Sequence, residues 1–287
     1  MREMKIAVVQ MKPELGRMEA NIGKIAGTIQ KIATSQEVDI IVFPELAITG
    51  FEGGQRFAQM AQRVPGAATN IIGQYANEFG IYVLVGMAVK ERVETVLYNS
   101  AVLIAPDGTP AAEYRKVHLQ AEERLVFRPG YKIAPVETDA GTIGIMLGWD
   151  LTFPEVARSL VLDGAEVILV PAAWEKGEIG MWRTLLTARA YENNVFIAAA
   201  NRIGEEPSYR FGGESAILGP RGEVLGLIPT PEPTIVEGSE GEIVEPEPEE
   251  GYIVIRLDLD EVRRAREESQ IILARQPSAY RAIVRKY

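Results

Sequence analysis

The stretch Gly144–Glu155, which reads Gly-Ile-Met-Leu-Gly-Trp-Asp-Leu-Thr-Phe-Pro-Glu, decides how the rest of the chain is interpreted. It begins as an apolar run and ends in polar residues around Pro154, which predicts a buried strand, then a loop, then a helix. In α/β folds the end of such a strand is where chemistry usually takes place. Gly148 stands at the predicted strand tip, and it has no side chain that could react.

The order of elements around this stretch predicts the architecture. Continuous apolar strands such as Lys5–Met11 and Val38–Phe43 alternate with amphipathic helices such as Glu19–Ser35. Hairpin turns follow at Pro106–Gly108 and Pro220–Gly222. Both halves share a β-α-β-α-β-hairpin rhythm, so we expect an α/β fold with two similar mixed sheets stacked face to face and helices outside them.

Three local predictions concern the surroundings of the opening stretch. The apolar run over Thr142–Leu147 predicts a strand that leads directly to Gly148. The segment Arg56–Arg63 has the pattern of a helix, and Gln120–Gly130 that of an irregular excursion ending at a Pro-Gly pair. If Gly148 continued the strand, glycine would be an unusual choice, because alanine or serine disturbs a strand less.

The composition limits the class of protein. The 287 residues are 47% hydrophobic, which is enough for a large core, and include no cysteine for a disulfide, a thiolate metal site or a nucleophile. His118 is the single histidine, so we expect no metal site. Most of the net charge of −10 comes from the eight glutamates of residues 231–250. The remainder lacks the basic surface that nucleic-acid binding requires.

The sequence also suggests how the chain is organised and where it works. No apolar run reaches the ~18 residues of a membrane span, and residues 1–5 lead directly into a strand without a hydrophobic signal segment. We therefore expect a cytoplasmic protein that does not bind membranes. We expect a single domain over residues 1–287, with a mobile acidic surface insertion at 231–250 and a C-terminal helix and tail at 259–287.

Three ionisable residues stand at predicted strand ends or just past them: Glu45, Lys116 and Glu123. Glu45 follows an apolar strand, so its carboxylate would lie at the rim of a core, where it needs a partner or has a raised pKa that suits a general base. Lys116 could be that partner, or it could stabilise a developing oxyanion. A buried Glu–Lys pair by itself is more often structural than catalytic. The same holds for His118, Trp149 and Trp174 taken singly.

Three motifs that occur in the same order favour the catalytic interpretation. Through them the chain resembles, over nearly its whole length, the nitrilase superfamily of carbon–nitrogen hydrolases. The motifs are Phe43–Phe51, Tyr114–Leu119 and Gly144–Glu155, with Glu123 and Phe127–Gly130 at the expected distance after the second. The resemblance implies a four-layer αββα sandwich and a Glu-Lys-Cys catalytic set. It implies cleavage of small nitriles, amides or carbamoyl compounds through a thioester, with no metal or organic cofactor.

The resemblance also assigns roles to residues of this chain. Glu45 would be the general base, Lys116 would stabilise the tetrahedral intermediate, and Glu123 would position the substrate or the nucleophile. The backbone N–H of Trp149 would complete an oxyanion hole. The pocket would be lined by Phe51, Trp149 and Trp174. A homodimer or larger assembly would pack through the helices Pro154–Asp163 and Trp182–Asn193.

The departure from the family pattern is at the nucleophile, because the family cysteine precedes the Trp-Asp pair, where this chain has Gly148. Glycine cannot attack a carbonyl or nitrile carbon, so the thioester route is closed. The side chains of Thr142 and Thr152 are not expected to point toward the position of the missing thiol.

Three interpretations of the chain stay open. In the first, the chain is a hydrolase with an introduced change at position 148. In the second, it is a natural homologue that only binds a small amide or amine ligand or serves as an assembly subunit. In the third, it is a slow enzyme in which Glu45 activates water.

The charge of the predicted pocket bears on the ligand. Glu45 and Glu123 contribute two carboxylates and Lys116 one ammonium, so the net charge is near −1 if all three are ionised. We expect such a pocket to favour a neutral amide or an amine-bearing ligand over a dianion.

Overall fold

The computed structural model describes residues 2–91, 96–231 and 246–285, together with the backbone of 234–235 and 243–244. Sixteen strands are assigned within these residues. In chain order they are β1 (Glu3–Gln10), β2 (Ile40–Val42), β3 (Tyr82–Lys90), β4 (Leu97–Ile104), β5 (Pro110–Arg115), β6 (Val136–Thr138), β7 (Gly141–Ile145), β8 (Val167–Ala172), β9 (Phe196–Asn201), β10 (Ile203–Glu206), β11 (Tyr209–Gly212), β12 (Ala216–Leu218), β13 (Val224–Leu227), β14 (Thr234–Ile235), β15 (Ile243–Val244) and β16 (Gly251–Asp258). The α-helices are α1 (Met18–Ser35), α2 (Phe57–Met60), α3 (Ala67–Phe79), α4 (Glu123–Val126), α5 (Pro154–Leu162), α6 (Ile179–Asn193) and α7 (Asp260–Ser269).

Two six-stranded sheets repeat one arrangement. Their strand orders are β16-β1-β2-β3-β4-β5 and β13-β12-β9-β8-β7-β6. In each sheet three central strands are parallel, β1-β2-β3 in the first and β7-β8-β9 in the second, and the strands outside them are antiparallel. The predicted pair of similar mixed sheets is confirmed.

Alternation along the central strands produces the layers. In β1 the side chains of Met4, Ile6 and Val8 enter the core between the two sheets, whereas Ala7 and Val9 pack under α1 and α3. The helices α5 and α6 cover the outer face of the second sheet with apolar side chains of the same core. The order is helix, sheet, sheet, helix, which confirms the predicted four-layer αββα sandwich. The predicted dimer contacts of α5 and α6 stay a prediction.

Some predicted bounds were wrong. The helix expected over Arg56–Arg63 is the single turn α2, because the backbone of Gln62 bonds instead to Ala88 and Lys90 at the end of β3. The strand expected over Thr142–Leu147 ends at Ile145, where the chain enters a 3₁₀ turn. The excursion at Gln120–Gly130 contains the helical turn α4.

Most of the predicted acidic insertion at 231–250, including its predicted mobility, lies outside the described residues. Within it, β14 and β15 pair in antiparallel fashion, which the sequence did not predict. Its final residues are held against the N-terminal strand: Gln10 Nε2 donates to the carbonyl of Glu249, and the backbone N–H of Lys12 donates to Glu250. Among the helices of the described residues, none is both long and apolar enough to cross a membrane.

Candidate active site

The turn after β2 carries Glu45 to the edge of the first sheet. The backbone of this turn lies directly on β3, where the N–H of Ala47 donates to the carbonyl of Gly86 at 2.9 Å. A Cβ atom on Gly86 would lie 2.6 Å from the Cα of Glu45, so only glycine permits this approach. Leu46 adopts a left-handed φ of 49° to complete the turn. Glu45 is thereby buried, with 1% of its surface exposed.

Lys116 joins two buried carboxylates. It follows β5, and its Nζ lies 2.7 Å from Glu45 Oε1 and 2.9 Å from both carboxylate oxygens of Glu123, at the start of α4. Asn99 on β4 supports the same arrangement, since its Nδ2 donates to Glu45 Oε1 at 2.7 Å and to Glu123 Oε1 at 2.8 Å. The structure thus brings together the three ionisable residues that the sequence singled out, and their catalytic roles stay predictions.

Burial and charge act on this cluster in opposite ways. Burial is the largest influence on the pKa of Glu45 and raises it, against the attraction of Lys116, and the nearby Glu123 adds to the rise. Burial lowers the pKa of Lys116, but the two carboxylates more than offset this and raise it above its ordinary value of 10.5. The ammonium is therefore a persistent cation at neutral pH, beside a carboxylate that binds a proton more readily than usual. This pairing suits general-base chemistry next to a developing anion.

The sequence predicted Gly148 at the tip of a strand, but β7 ends at Ile145 and Gly148 begins the 3₁₀ turn Gly148–Thr152. Its φ is +40°, a region that costs an L-residue with a side chain roughly 1–2 kcal/mol. Glycine is therefore the least strained residue here, and the expectation that it is an unusual choice was wrong for this reason. A Cβ on Gly148 would point at the Glu45 carboxyl, with Oε2 closest and the carboxyl carbon 3.1 Å away.

Asp150, a buried residue within this turn, ties the turn to neighbouring segments. The Asp150 carboxylate accepts hydrogen bonds from the Tyr114 hydroxyl at 2.8 Å, from the backbone N–H of His118 at 2.9 Å and from that of Leu147 at 3.3 Å. It also contacts His118 Nδ1 at 2.8 Å. His118 is thus a turn histidine, stacked on Phe153 with ring centroids 3.6 Å apart.

Arg189 of α6 holds the same turn from the helix side. Its side-chain nitrogens donate to the carbonyls of Leu151 and Thr152, both at 3.0 Å. The turn therefore keeps its shape without any contribution from a side chain at position 148.

A cavity of about 480 Å³ opens beside this turn. Its lining includes the three buried ionisable residues and all three predicted pocket residues: Glu45, Lys116, Glu123, Phe51, Trp149 and Trp174. Trp174 follows β8, and its backbone N–H donates to Asn201 Oδ1 at 2.7 Å, which fixes that wall. Trp149 also lines the cavity, and the role of its backbone N–H in an oxyanion hole stays a prediction.

The Phe51 side of the cavity depends on a buried ion pair. The Glu206 carboxylate accepts the backbone N–H groups of Phe51 at 3.0 Å and of Glu52 at 2.6 Å. Arg202, which is fully buried, pairs with Glu206 at 2.5 Å and stacks over the Phe211 ring. These contacts fix the loop at one edge of the cavity.

Sequence reasoning missed several of these supporting residues: Asn99, Asp150, Arg202 and Glu206. Asn99 carried a usable signal, because a polar residue inside the apolar run of β4 requires a partner. Glu206 gave no signal of its contact with the Phe51 loop, since the backbone N–H groups that it binds lie about 155 residues earlier in the chain. Among the described residues, no group of three or more His, Asp or Glu side chains is arranged to hold a metal ion.

Comparisons with known proteins show which family the chain belongs to. The profile of the family described as carbon-nitrogen hydrolase matches residues 5–267. A probable nitrilase from Schizosaccharomyces pombe is 31% identical over 283 residues, covering 97% of this chain and 98% of that protein. An (R)-stereoselective amidase from a Pseudomonas species is 32% identical over 267 residues, or 92% and 89% of the two chains. The crystal structure of a carbon-nitrogen hydrolase from Helicobacter pylori G27 shares the fold, with a TM-score of 0.82 at 23% identity and 99% coverage of each chain. The chain belongs to the carbon–nitrogen hydrolase family of the nitrilase superfamily.

Proposed function

We propose that the cavity binds small amides and retains the apparatus of a thioester-forming amidase except for its nucleophile, whose position Gly148 occupies. The observation that carries this proposal is the position of Glu45, whose carboxyl lies where a side chain on Gly148 would point. The buried ammonium of Lys116 lies 2.7 Å from the same carboxyl. The relatives named as an amidase and a nitrilase support the choice of substrate class.

A cysteine at position 148 would complete a balanced reaction. Its thiol proton would pass to Glu45 while the sulfur bonds to the amide carbon, and Lys116 and the Trp149 N–H would stabilise the oxyanion. Breaking the C–N bond would return the proton to the leaving amine. Water, deprotonated by Glu45, would then cleave the thioester and release the acid.

The test is the Gly148→Cys variant, assayed for ammonia release from a panel of small aliphatic and aromatic amides. We expect turnover together with a covalent acyl adduct visible by mass spectrometry. Gly148→Ala is the matched control, because it adds the Cβ without the thiol. Adding Glu45→Gln to Gly148→Cys should lower the rate by about 10²–10⁴, the usual contribution of a general base.

The proposal fails if folded Gly148→Cys protein hydrolyses none of the amides and forms no adduct. Ligand binding without turnover in both the native chain and the variant would favour the alternative of a homologue that only binds its ligand. Amide binding in neither form would remove the pocket assignment as well.

A second candidate is slow hydrolysis by water, with Glu45 as base. Glu45 Oε2 supports it, because among the described residues its one hydrogen-bond donor is the backbone N–H of Ala173 at 3.1 Å, so it can still accept a proton from water. The native protein would then release ammonia slowly, and Glu45→Gln would abolish the release. Release that is unchanged in Glu45→Gln would eliminate this candidate.

A further inference from the structure

The outer part of the cavity is lined by a second set of carboxylates. Glu52, Glu122, Glu175 and Glu178 line the cavity in addition to the buried pair Glu45 and Glu123. We call these four residues the acidic rim. Of the lining residues that the structure describes, Lys116 is the one basic residue. Six carboxylates therefore face one ammonium, which is far more negative than the sequence alone led us to expect.

Lys116 does not neutralise the acidic rim. The Lys116 Nζ is buried and hydrogen-bonded to Glu45 and Glu123, so its positive charge offsets those two carboxylates at the inner end of the cavity. Glu122, Glu175 and Glu178 are exposed, and none of the three forms an ion pair within the described residues. Glu52 is held by Ser208, a neutral partner, which leaves its charge uncompensated.

Tyr209 lines the same cavity as the rim carboxylates. Burial raises its pKa, and the negative charges of Glu122, Glu175, Glu52 and Glu123 raise it further. The ring of Tyr209 packs against Phe51, with centroids 5.2 Å apart, so an aromatic face lies beside the carboxylates.

We propose that the cavity selects amides that carry a positively charged ammonium group. The amide lies toward Glu45 and Lys116, and the ammonium lies among the acidic rim and the aromatic walls formed by Trp149 and Trp174, where carboxylates and ring faces both attract a cation. An anionic amide would meet the same carboxylates and be repelled. This inference rests on the proposed function, since it takes the inner end of the cavity as the amide site.

Three amides of similar shape test the proposal on the native protein by calorimetry at about pH 7. These are 4-aminobutanamide, which is cationic, pentanamide, which is neutral, and 4-carbamoylbutanoate, which is anionic. We expect the cation to bind about tenfold more tightly than the neutral amide, an added ~1.4 kcal/mol, and the anion to show no binding. The difference in affinity between the cationic and the neutral amide should decrease as the salt concentration is raised, because the acidic rim is exposed and its charges are screened.

A charge-matched pair of triple variants assigns the effect to the rim. Glu122→Gln, Glu175→Gln and Glu178→Gln combined should lower the affinity for 4-aminobutanamide to about that for pentanamide. The control combines Glu19→Gln, Glu78→Gln and Glu137→Gln, which remove the same charge from exposed positions outside the cavity and should keep the preference.

The outcomes separate the two proposals. If none of the three amides binds, the proposed amide site fails, and this inference fails with it. If pentanamide binds as tightly as 4-aminobutanamide, the inference fails and the amide site stands. A cation preference that survives in the rim variant, or that disappears equally in the control variant, would also overturn the assignment to these glutamates.

Discussion

Two turns form the inner end of the cavity, one from each sheet, and they differ in what they contribute. The turn after β2 contains Glu45, and the turn after β7 begins at Gly148. Each follows one of the parallel strands of its sheet, and each contains a left-handed residue, Leu46 with a φ of 49° and Gly148 with a φ of 40°. At Glu45 the first turn supplies a carboxylate held by Lys116 and Asn99, whereas at Gly148 the second turn supplies only backbone.

The comparison separates the shape of a site from its chemistry. Gly86 and Ala47 set the backbone of the Glu45 turn, and Asp150 and Arg189 set that of the Gly148 turn. In both turns, residues other than Glu45 and Gly148 hold the backbone. The geometry around Gly148 therefore does not depend on a side chain at that position.

The largest effect should come from breaking the ion cluster of the first turn. Lys116→Met leaves Glu45 and Glu123 buried and facing each other, so we expect a loss of about 3–5 kcal/mol in the free energy of unfolding, measured with urea. Lys132→Met, at an exposed position, should change it by less than about 0.5 kcal/mol. A loss below about 1 kcal/mol in Lys116→Met would mean that the cluster does not hold its turn in the way the contacts indicate.

A smaller effect should follow from weakening the support of the second turn. Tyr114→Phe removes a hydrogen bond to the buried Asp150 carboxylate, so we expect a loss of about 1.5–3 kcal/mol. Burial and the charge of Asp150 raise the pKa of Tyr114 well above its ordinary value of 10. The stability that the neutral Tyr114 hydroxyl contributes is therefore fully present below about pH 10. It is lost as the pH rises further, because Tyr114 ionises at a lower pH in the unfolded chain than in the folded protein.

The measurement is the difference in unfolding free energy between the native protein and Tyr114→Phe from about pH 7 to pH 11. It should be constant up to about pH 10 and narrow above it. Tyr131→Phe, at a position that is 89% exposed, controls for tyrosine ionisation in general. A difference that grows above pH 10 would contradict the sign of the linkage.

The sequence predicted the first turn better than the second for a physical reason. Glu45 and Lys116 stand at or just past predicted strand ends within family motifs, and Glu123 follows the second motif at the expected distance. Both the local pattern and the resemblance therefore point to this first turn and its partners. The left-handed φ of Gly148 depends on contacts with Asp150 and Arg189, and no local pattern reports it. The two-sheet sandwich was predicted from apolar runs that repeat in both halves.

What sequence reasoning missed was mostly set by distant partners. The hairpin of β10 and β11 brings Glu206 to the Phe51 loop, across about 155 residues. The single turn α2 is short because Gln62 bonds to β3, although its own residues have a helical pattern. The acidic rim was missed because its members come from three separate segments of the chain, and each one alone has the pattern of a solvated glutamate.

The smallest predicted effect concerns the backbone conformation of the second turn at Gly148. Gly148→Ala places a Cβ at a φ of +40°, so we expect a loss of about 1–2 kcal/mol in unfolding free energy, with the Glu45 carboxyl displaced from its present place. Gly27→Ala is the matched control, because Gly27 lies in α1 with no heavy atom near its Cβ position and should gain about 0.5–1 kcal/mol. If Gly148→Ala is as stable as the native protein, the backbone at position 148 relaxes easily, and the turn is less firmly held by Asp150 and Arg189 than their contacts indicate. If the predicted loss is observed, the second turn carries a cost for any reacting side chain that the native glycine avoids.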